Sequence, residues 1–313
     1  GTGWYRGYAV SKHIIDIPNN RSAHCVPTPR GGGIIFVGCF LLIMFYYYPL
    51  HFIILPISAL GVAILGYWDD KYSLSAKKRL LSHFFLSTLA VIILSPLPPI
   101  SIGAWIIPSS IWLTLLGVLF LVWMLNLYNF MDGINGIAGS EAICVALGLA
   151  MIYWVTGHLD VMYLPLLLAA AVMGFLVWNF PKARLFMGDV GSGFLGFIFG
   201  IWSLQSLYFD AHLFWSCLIL LGVFIVDATT TLLIRMLRKQ PLHKAHSQHA
   251  YQHATRRYAS HNPVTIAVIV CNVFWLWPFA FLVGLHYLDG FIGLCMAYIP
   301  LIFLAFFFKA GYD

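Results

Sequence analysis

Ten apolar runs, each of a length to cross a membrane, set what this chain can fold into. They are Gly32 to Leu50, Phe52 to Trp68, Leu80 to Leu97, Ser110 to Leu125, Ile137 to Val155, Val161 to Trp178, Phe194 to Phe209, Leu213 to Met236, Val264 to Leu285 and Phe291 to Phe308. A helix crosses hydrocarbon in about 20 residues, whereas a barrel strand is about half as long and alternates in polarity. With 61% hydrophobic and 9% charged residues over 313 positions, the chain lacks the charge of a soluble globule, where about a quarter of residues are charged. The expected fold is all-α, a polytopic integral membrane protein of about ten transmembrane helices. Residues 1–313 read as one domain with its polar loops as the working parts.

Alternating the loops between the two sides places all 17 Lys and Arg on one of them, from Arg6, Lys12, Arg21 and Arg30 to Lys309. The opposite loops, Tyr48 to His51, Ser95 to Ser109, Thr156 to Asp160, Tyr208 to His212 and His286 to Gly290, contain none. The positive-inside rule makes the basic side cytoplasmic, and a span missed or invented would scramble the pattern. The six cysteines, Cys25, Cys39, Cys144, Cys217, Cys271 and Cys295, have no paired spacing. They argue against a disulfide framework and a zinc module. The opening Gly1-Thr2-Gly3-Trp4-Tyr5-Arg6 reads as the tail of something cut away, not as a signal peptide.

Polar groups cluster on the basic side. Asn126 to Gly139 reads N-L-Y-N-F-M-D-G-I-N-G-I-A-G between two apolar runs. Asn126, Asn129, Asp132 and Asn135 recur every third residue and fall near one face if the helix continues past Leu125. One carboxylate among three amides suits a metal and a polar ligand; a plain turn needs only one Asn-Gly or Asp-Gly, and both are present. Asp69-Asp70 closes the second run, with Lys77 and Arg79 following. Adjacent carboxylates at a helix mouth persist where a cation or proton transfer offsets their repulsion. In P-K-A-R-L-F-M-G-D-V-G-S-G, Asp189 stands between Gly188 and Gly191 at the start of a helix. Free backbone N–H groups there suit phosphate, and the carboxylate suits a divalent ion.

Three further stretches stay open between structural and functional readings. Asp16 to Gly33 is either a stiff Pro-rich connector or an anion contact through Arg21, His24 and Arg30. Asp227, inside the eighth run, is either functional or paired with Arg235 two turns on. In P-L-H-K-A-H-S-Q-H-A-Y-Q-H-A-T-R-R-Y, a helix would put His246, His249 and His253 on one face with His243 at its edge, and Arg256 and Arg257 a turn later. Zinc is one reading, but the basic surroundings suit phosphate better.

Asp69-Asp70, N-x-x-N-x-x-D-G-x-N-G-x-A, F-M-G-D-x-G-S and the His-rich loop, in this order over nearly the whole chain, resemble the polyprenyl-phosphate N-acetylhexosamine-1-phosphate transferase family. Within it, D-x-P-N-x-R-S-x-H-x-x-P-T-P-R-G-G-G and H-K-A-H-x-x-H-A-Y-Q look like O-antigen initiating transferases that use UDP-linked N-acetyl-fucosamine or N-acetyl-quinovosamine. UDP-GlcNAc is the alternative donor. His249-Ala250-Tyr251 stands where relatives carry consecutive histidines or His-x-His. The family has a span before the D-x-P-N loop, and Trp4 to Val10 looks like its end, so the first helix is expected to be cut short.

The resemblance implies transfer of sugar 1-phosphate from a UDP-sugar to undecaprenyl phosphate, releasing UMP, at the cytoplasmic face of the bacterial inner membrane. It would open O-antigen or lipopolysaccharide synthesis. Mg²⁺, with Mn²⁺ as a substitute, is the implied cofactor, a homodimer the family-level expectation, and no nucleic-acid partner is expected. Asp189 would be the metal ligand and Asp132 would position ligand or metal. Asp69 would take the acceptor's proton or orient it, and Asp70 would support Asp69 or the metal. Arg79 would contact a phosphate, and His243, His246, His249, His253, Arg256 and Arg257 would grip the pyrophosphate. Asn126, Asn129 and Asn135, with the glycine loops, complete the substrate contacts. Direct in-line attack is the favoured route, and a covalent Asp69 intermediate its rival. A secondary transporter is the reading from another class; it expects polar groups near mid-bilayer and matching breaks in two halves, whereas the polar residues here crowd one face.

Overall fold

The computed structural model describes residues 1–18, 26–241 and 246–312. Its helices are α1 (Thr2–Ser11), α2 (Gly33–Tyr47), α3 (Ile54–Tyr72), α4 (Ala76–Ile93), α5 (Ile111–Phe130), α6 (Ile137–Val155), α7 (Leu159–Asn179), α8 (Asp189–Ser206), α9 (Ala211–Leu220), α10 (Gly222–Leu237), α11 (Ala250–Tyr258), α12 (Asn262–Cys271), α13 (Trp277–Gly284) and α14 (Gly290–Phe307). Strands are confined to two antiparallel pairs. β1 (Ile15–Asp16) meets β2 (Thr28–Pro29), and β3 (Ile100–Ile102) meets β4 (Trp105–Ile107).

Every one of the ten apolar runs is helical, because a backbone surrounded by hydrocarbon must satisfy its own N–H and C=O groups. Six segments among the described residues are long and apolar enough to cross a membrane: Leu50–Tyr72, Ile111–Phe130, Ile137–Val155, Leu159–Asn179, Asn262–Gly284 and Gly290–Phe307. The run from Leu213 to Met236 is not one straight span. It breaks at Leu221 into α9 and α10, bent by 72°, and as one broken span it makes a seventh. The remaining runs fall short for visible reasons. Helix α2 has 15 residues, α4 opens on Lys77, Lys78 and Arg79, and α8 starts in the polar, Gly-rich D-V-G-S-G. A π turn over Asn272–Leu276 joins α12 to α13.

Helix α8 is the axis of the bundle and is buried along nearly its whole length, packed by α2, α3, α5 and α9. Small residues let neighbours reach its backbone, the packing device that replaces the hydrophobic effect between helices in lipid. A Cβ at Gly66 of α3 would run into the backbone of Asp189 and Val190, and one at Gly33 of α2 into Gly191. These approaches draw the start of α2, the end of α3 and the start of α8 to one end of the bundle. The end of α5 joins them there, with Tyr128 packed on Phe199 at 5.8 Å and Phe224 at 4.9 Å between ring centres. The opposite end carries the β3–β4 pair, the start of α9 and the α13–α14 turn.

Candidate active site

The site is built on the N-terminus of α8. Gly188 lies at φ +79°, a left-handed conformation suited to a residue without Cβ, and it delivers Asp189 as the first residue of the helix. Asp70, at the end of α3, accepts the backbone N–H groups of Asp189 (3.0 Å) and Val190 (3.2 Å). It therefore caps a helix more than a hundred residues away, where a carboxylate satisfies free amides and meets the positive end of the helix dipole. Arg30 donates to the Asp70 carbonyl and stands 4.0 Å from its carboxylate. The backbone from Pro29 to Gly33 is laced to Phe186 and Met187 by three hydrogen bonds of 2.8–2.9 Å. So the Pro-rich stretch is anchored against the F-M-G-D segment; Arg21 and His24 lie outside the described residues.

Arg79 holds two carboxylates together. It donates to Asp69 Oδ2 at 2.7 Å and to Asp189 Oδ2 at 3.3 Å, and Asp69 Oδ1 accepts the Leu74 amide at 2.6 Å. Asn129 donates to Ser192 Oγ at 3.2 Å. Asn126 donates to the Val122 carbonyl at 2.7 Å and lies 3.5 Å from His83 Nδ1. Helix α5 ends at Phe130, so the three-residue repeat puts only Asn126 and Asn129 on a helical face; Asp132 and Asn135 belong to the turn before α6.

Two cavities meet here. The larger, about 210 Å³, is lined by Asp16, Arg30, Asp70, Asn129, Asp132 and Asp189, with Ser192 and Gln252 among its other walls. The smaller, about 30 Å³, is lined by Asp69, Arg79, His83, Asn126, Asn129 and Asp189, with Val62, Leu65 and Leu125 on its membrane side. Asn129 and Asp189 belong to both. Among the described lining residues, five carboxylates face two guanidinium groups. Burial, then the charges of Asp189 and Asp70, push the Asp132 carboxyl well above the usual carboxylate range. Crowded oxygen donors with a surplus of negative charge fit a hard divalent cation.

The His-rich loop is arranged differently from the helical face that its spacing suggests. Helix α11 starts only at Ala250, with His249 as its cap residue. Asp227 accepts the backbone N–H groups of Ala250 and Tyr251 (both 2.9 Å), lies 3.3 Å from His249 Nδ1, and accepts the Thr231 hydroxyl at 3.1 Å. Asp227 is thus the anchor of α11, while Arg235 donates to Gln240 and the Pro241 carbonyl. His246 stacks on His249 with ring centres 5.0 Å apart. His253 lies 3.2 Å from the Tyr312 carbonyl, Arg257 sits 5.1 Å over the Phe307 ring, and Arg256 donates to Ser247. Those three are engaged by the end of the chain and by their own loop and do not line either cavity; His243 lies outside the described residues. Asn135 also stays off the cavity walls. Its amide donates to Pro181 O (3.4 Å), its N–H to His261 Nδ1 (3.2 Å), and its carbonyl accepts the Thr265 hydroxyl (2.8 Å).

Four side chains at the candidate site have no role of their own in the sequence motifs. Ser192 and Gln252 line the larger cavity, and His83 the smaller. Asn179 takes the Gly136 amide at 2.7 Å and donates to the Leu185 carbonyl at 2.9 Å, joining the two glycine loops. His83 was within reach of spacing, one turn after Arg79 on α4; Asn179, at the end of an apolar run, had no partner visible in the sequence.

A helical membrane protein with carboxylates, amides and guanidinium groups drawn to one end of its bundle defines the class. Residues 52–207 match the family described as glycosyl transferase family 4. The protein from Bacillus subtilis named "Probable undecaprenyl-phosphate N-acetylglucosaminyl 1-phosphate transferase" is 32% identical over 83% of this chain and 75% of its own length. A phospho-N-acetylmuramoyl-pentapeptide-transferase of Petrotoga mobilis is 30% identical over 66% of this chain and 68% of its own. The undecaprenyl-phosphate alpha-N-acetylglucosaminyl 1-phosphate transferase of Salmonella typhi is 29% identical over 61% and 55%. The chain belongs to this family of polyprenyl-phosphate N-acetylhexosamine-1-phosphate transferases.

Proposed function

We propose that the protein transfers N-acetylhexosamine 1-phosphate from a UDP-sugar to undecaprenyl phosphate, releasing UMP, at the cytoplasmic face of the bacterial inner membrane. The observation that carries this is the Arg79 bridge between Asp69 and Asp189, at the junction of a membrane-side hollow and a larger polar cavity. The smaller hollow receives the acceptor phosphate, whose polyprenyl tail stays in hydrocarbon; the larger receives the nucleotide sugar. Both substrates are anions, so their approach needs neutralisation. Mg²⁺ at Asp189 and Asp132 would supply that charge and polarise the donor pyrophosphate.

Asp69 orients the acceptor phosphate through Arg79 and accepts its proton. Since the second pKa of a phosphate monoester is about 6, little base strength is required. Direct attack fits Asp69 better than a covalent intermediate, because hydrogen bonds from Arg79 and the Leu74 amide to its two oxygens weaken it as a nucleophile. Asp70 acts by fixing the start of α8, and thereby Asp189. UDP-N-acetyl-fucosamine or UDP-N-acetyl-quinovosamine is the proposed donor, with an O-antigen or surface polysaccharide as the product's destination. UDP-GlcNAc is supported equally by the names of the relatives from Bacillus subtilis and Salmonella typhi. A missing hydroxyl changes only one or two contacts.

The test is UMP release by detergent-solubilised protein supplied with undecaprenyl phosphate, Mg²⁺ and each UDP-N-acetylhexosamine in turn, with Asp189→Ala alongside. Turnover that needs lipid, metal and Asp189 names the sugar. UMP released at the same rate without a lipid acceptor would overturn the transfer reading.

A further inference from the structure

The end of the bundle opposite the cleft holds a second cluster of metal-binding side chains. Asp210 precedes α9, and its Oδ1 accepts the His212 backbone N–H at 2.7 Å while lying 3.1 Å from His212 Nδ1. Its Oδ2 lies 2.9 Å from Nε2 of His286, in the α13–α14 turn. The two imidazole rings are 4.1 Å apart between centres. One donor atom from each of the three residues lies within 4.8 Å of the others. Ions of the zinc type, with bonds of about 2.0–2.2 Å, hold tetrahedral donors roughly 3.4 Å apart, so small rotations of the rings close the set.

Several features give this cluster the form of a built site. The carboxylate is already oriented by a backbone amide. His286 stands at φ +61°, a left-handed conformation that a residue with a Cβ adopts under strain, and in it the ring meets Asp210. Asp289, the nearest other carboxylate in the turn, is occupied in capping α14 through the Ile292 amide at 3.0 Å. His286 is 55% exposed along its side chain, so the fourth position of a tetrahedron opens to water.

We propose that Asp210, His212 and His286 bind a divalent transition-metal ion of the zinc type, clipping the start of α9 to the α13–α14 turn on the face opposite the cleft. Two imidazoles and one carboxylate suit such an ion better than magnesium, which takes oxygen donors and keeps its water. The ion is exchangeable, with three protein ligands and one water, and it is remote from the reaction.

The experiment uses the full chain in detergent, with any affinity tag removed and Mg²⁺ saturating. Zn²⁺ is titrated by calorimetry, Co²⁺ by its visible absorption, and thermal unfolding is followed with and without Zn²⁺. The variants are His212→Ala and His286→Asn, the second chosen because Asn tolerates the left-handed backbone. The expected result is one Zn²⁺ equivalent that raises the unfolding temperature and a Co²⁺ band of tetrahedral intensity. Each variant should weaken that equivalent at least about 10–100-fold, the loss seen when even an outer partner of a metal ligand is removed, while UMP release continues. Wild-type protein lacking that equivalent, or variants that bind Zn²⁺ as the wild type does, would overturn the proposal and leave an ordinary His-Asp-His hydrogen-bond network.

Discussion

At the scale of the residue, Gly188 and Asp70 work as a pair. A methyl group at 188 would meet the Asp70 carboxylate and would also stand at φ +79°. Strain of this kind is worth about 1–3 kcal/mol, so Gly188→Ala is expected to lower the rate of UMP release roughly 10–100-fold with the bundle still folded by circular dichroism. An unchanged rate would mean that Asp189 does not depend on the cap. Asp132 sets a pH dependence. Its raised pKa means that the folded protein holds a proton there which the unfolded chain has lost above about pH 4. The stability of chelator-treated protein should therefore fall as pH rises through that window. A divalent cation displaces the proton, so the Mg²⁺ concentration giving half-maximal activity should fall as the pH rises. Asp132→Asn should flatten that dependence in steady-state assays, and a dependence equally steep in the variant would remove Asp132 from the metal's surroundings.

At the scale of the element, α11 depends on one carboxylate from α10. Asp227→Ala would leave the amides of Ala250 and Tyr251 without their acceptor, and a buried group left unpaired costs about 1–3 kcal/mol. Faster protease cleavage between α10 and α11, together with a lower transfer rate, is the expected outcome of limited proteolysis run beside the assay. If neither changes, α11 is held by other contacts, such as the Tyr251 hydroxyl on the Phe130 carbonyl at 3.0 Å. The length of the apolar runs made the helices legible, since about 20 apolar residues suffice to cross the hydrocarbon. It did not show where α11 begins, because histidine is a poor marker of a cap, and the amides of Ala250 and Tyr251 are taken by Asp227 from another helix. Nor did it show the bend at Leu221, where neither flank carries a proline. Asp69 and Asp189 were recognisable from their neighbours as candidate site residues, and both line the candidate cavities. That Asp70 serves as a helix cap was not, because its partners are 119 and 120 positions away.

At the scale of the whole molecule, the distribution of basic residues predicts which face meets which compartment. Ala104, beside the β3–β4 pair, and Tyr258, at the end of α11, are both exposed and belong to opposite ends of the bundle. In a cysteine-free background, a membrane-impermeant maleimide should label Ala104→Cys in intact cells and Tyr258→Cys only after lysis. The reverse pattern would invert the topology and place the candidate cleft on the wrong side for the proposed nucleotide donor.

The capping of α8 by Asp70 also bears on how the protein is made. Arg30, Asp70 and Asp189 leave the ribosome far apart in time, and the first two enter the membrane region before the amides that Asp70 accepts have been synthesised. Until α8 arrives, the Asp69–Asp70 pair sits at a helix end with its lasting partners missing. The cleft is therefore a late product of biogenesis, completed only once Asp189 and Val190 have followed Asp70 into place. A nascent chain stalled before residue 189 should hold α3 and α4 without a working site, and a handover to chaperone or insertase at that stage has a pair of adjacent carboxylates to shield.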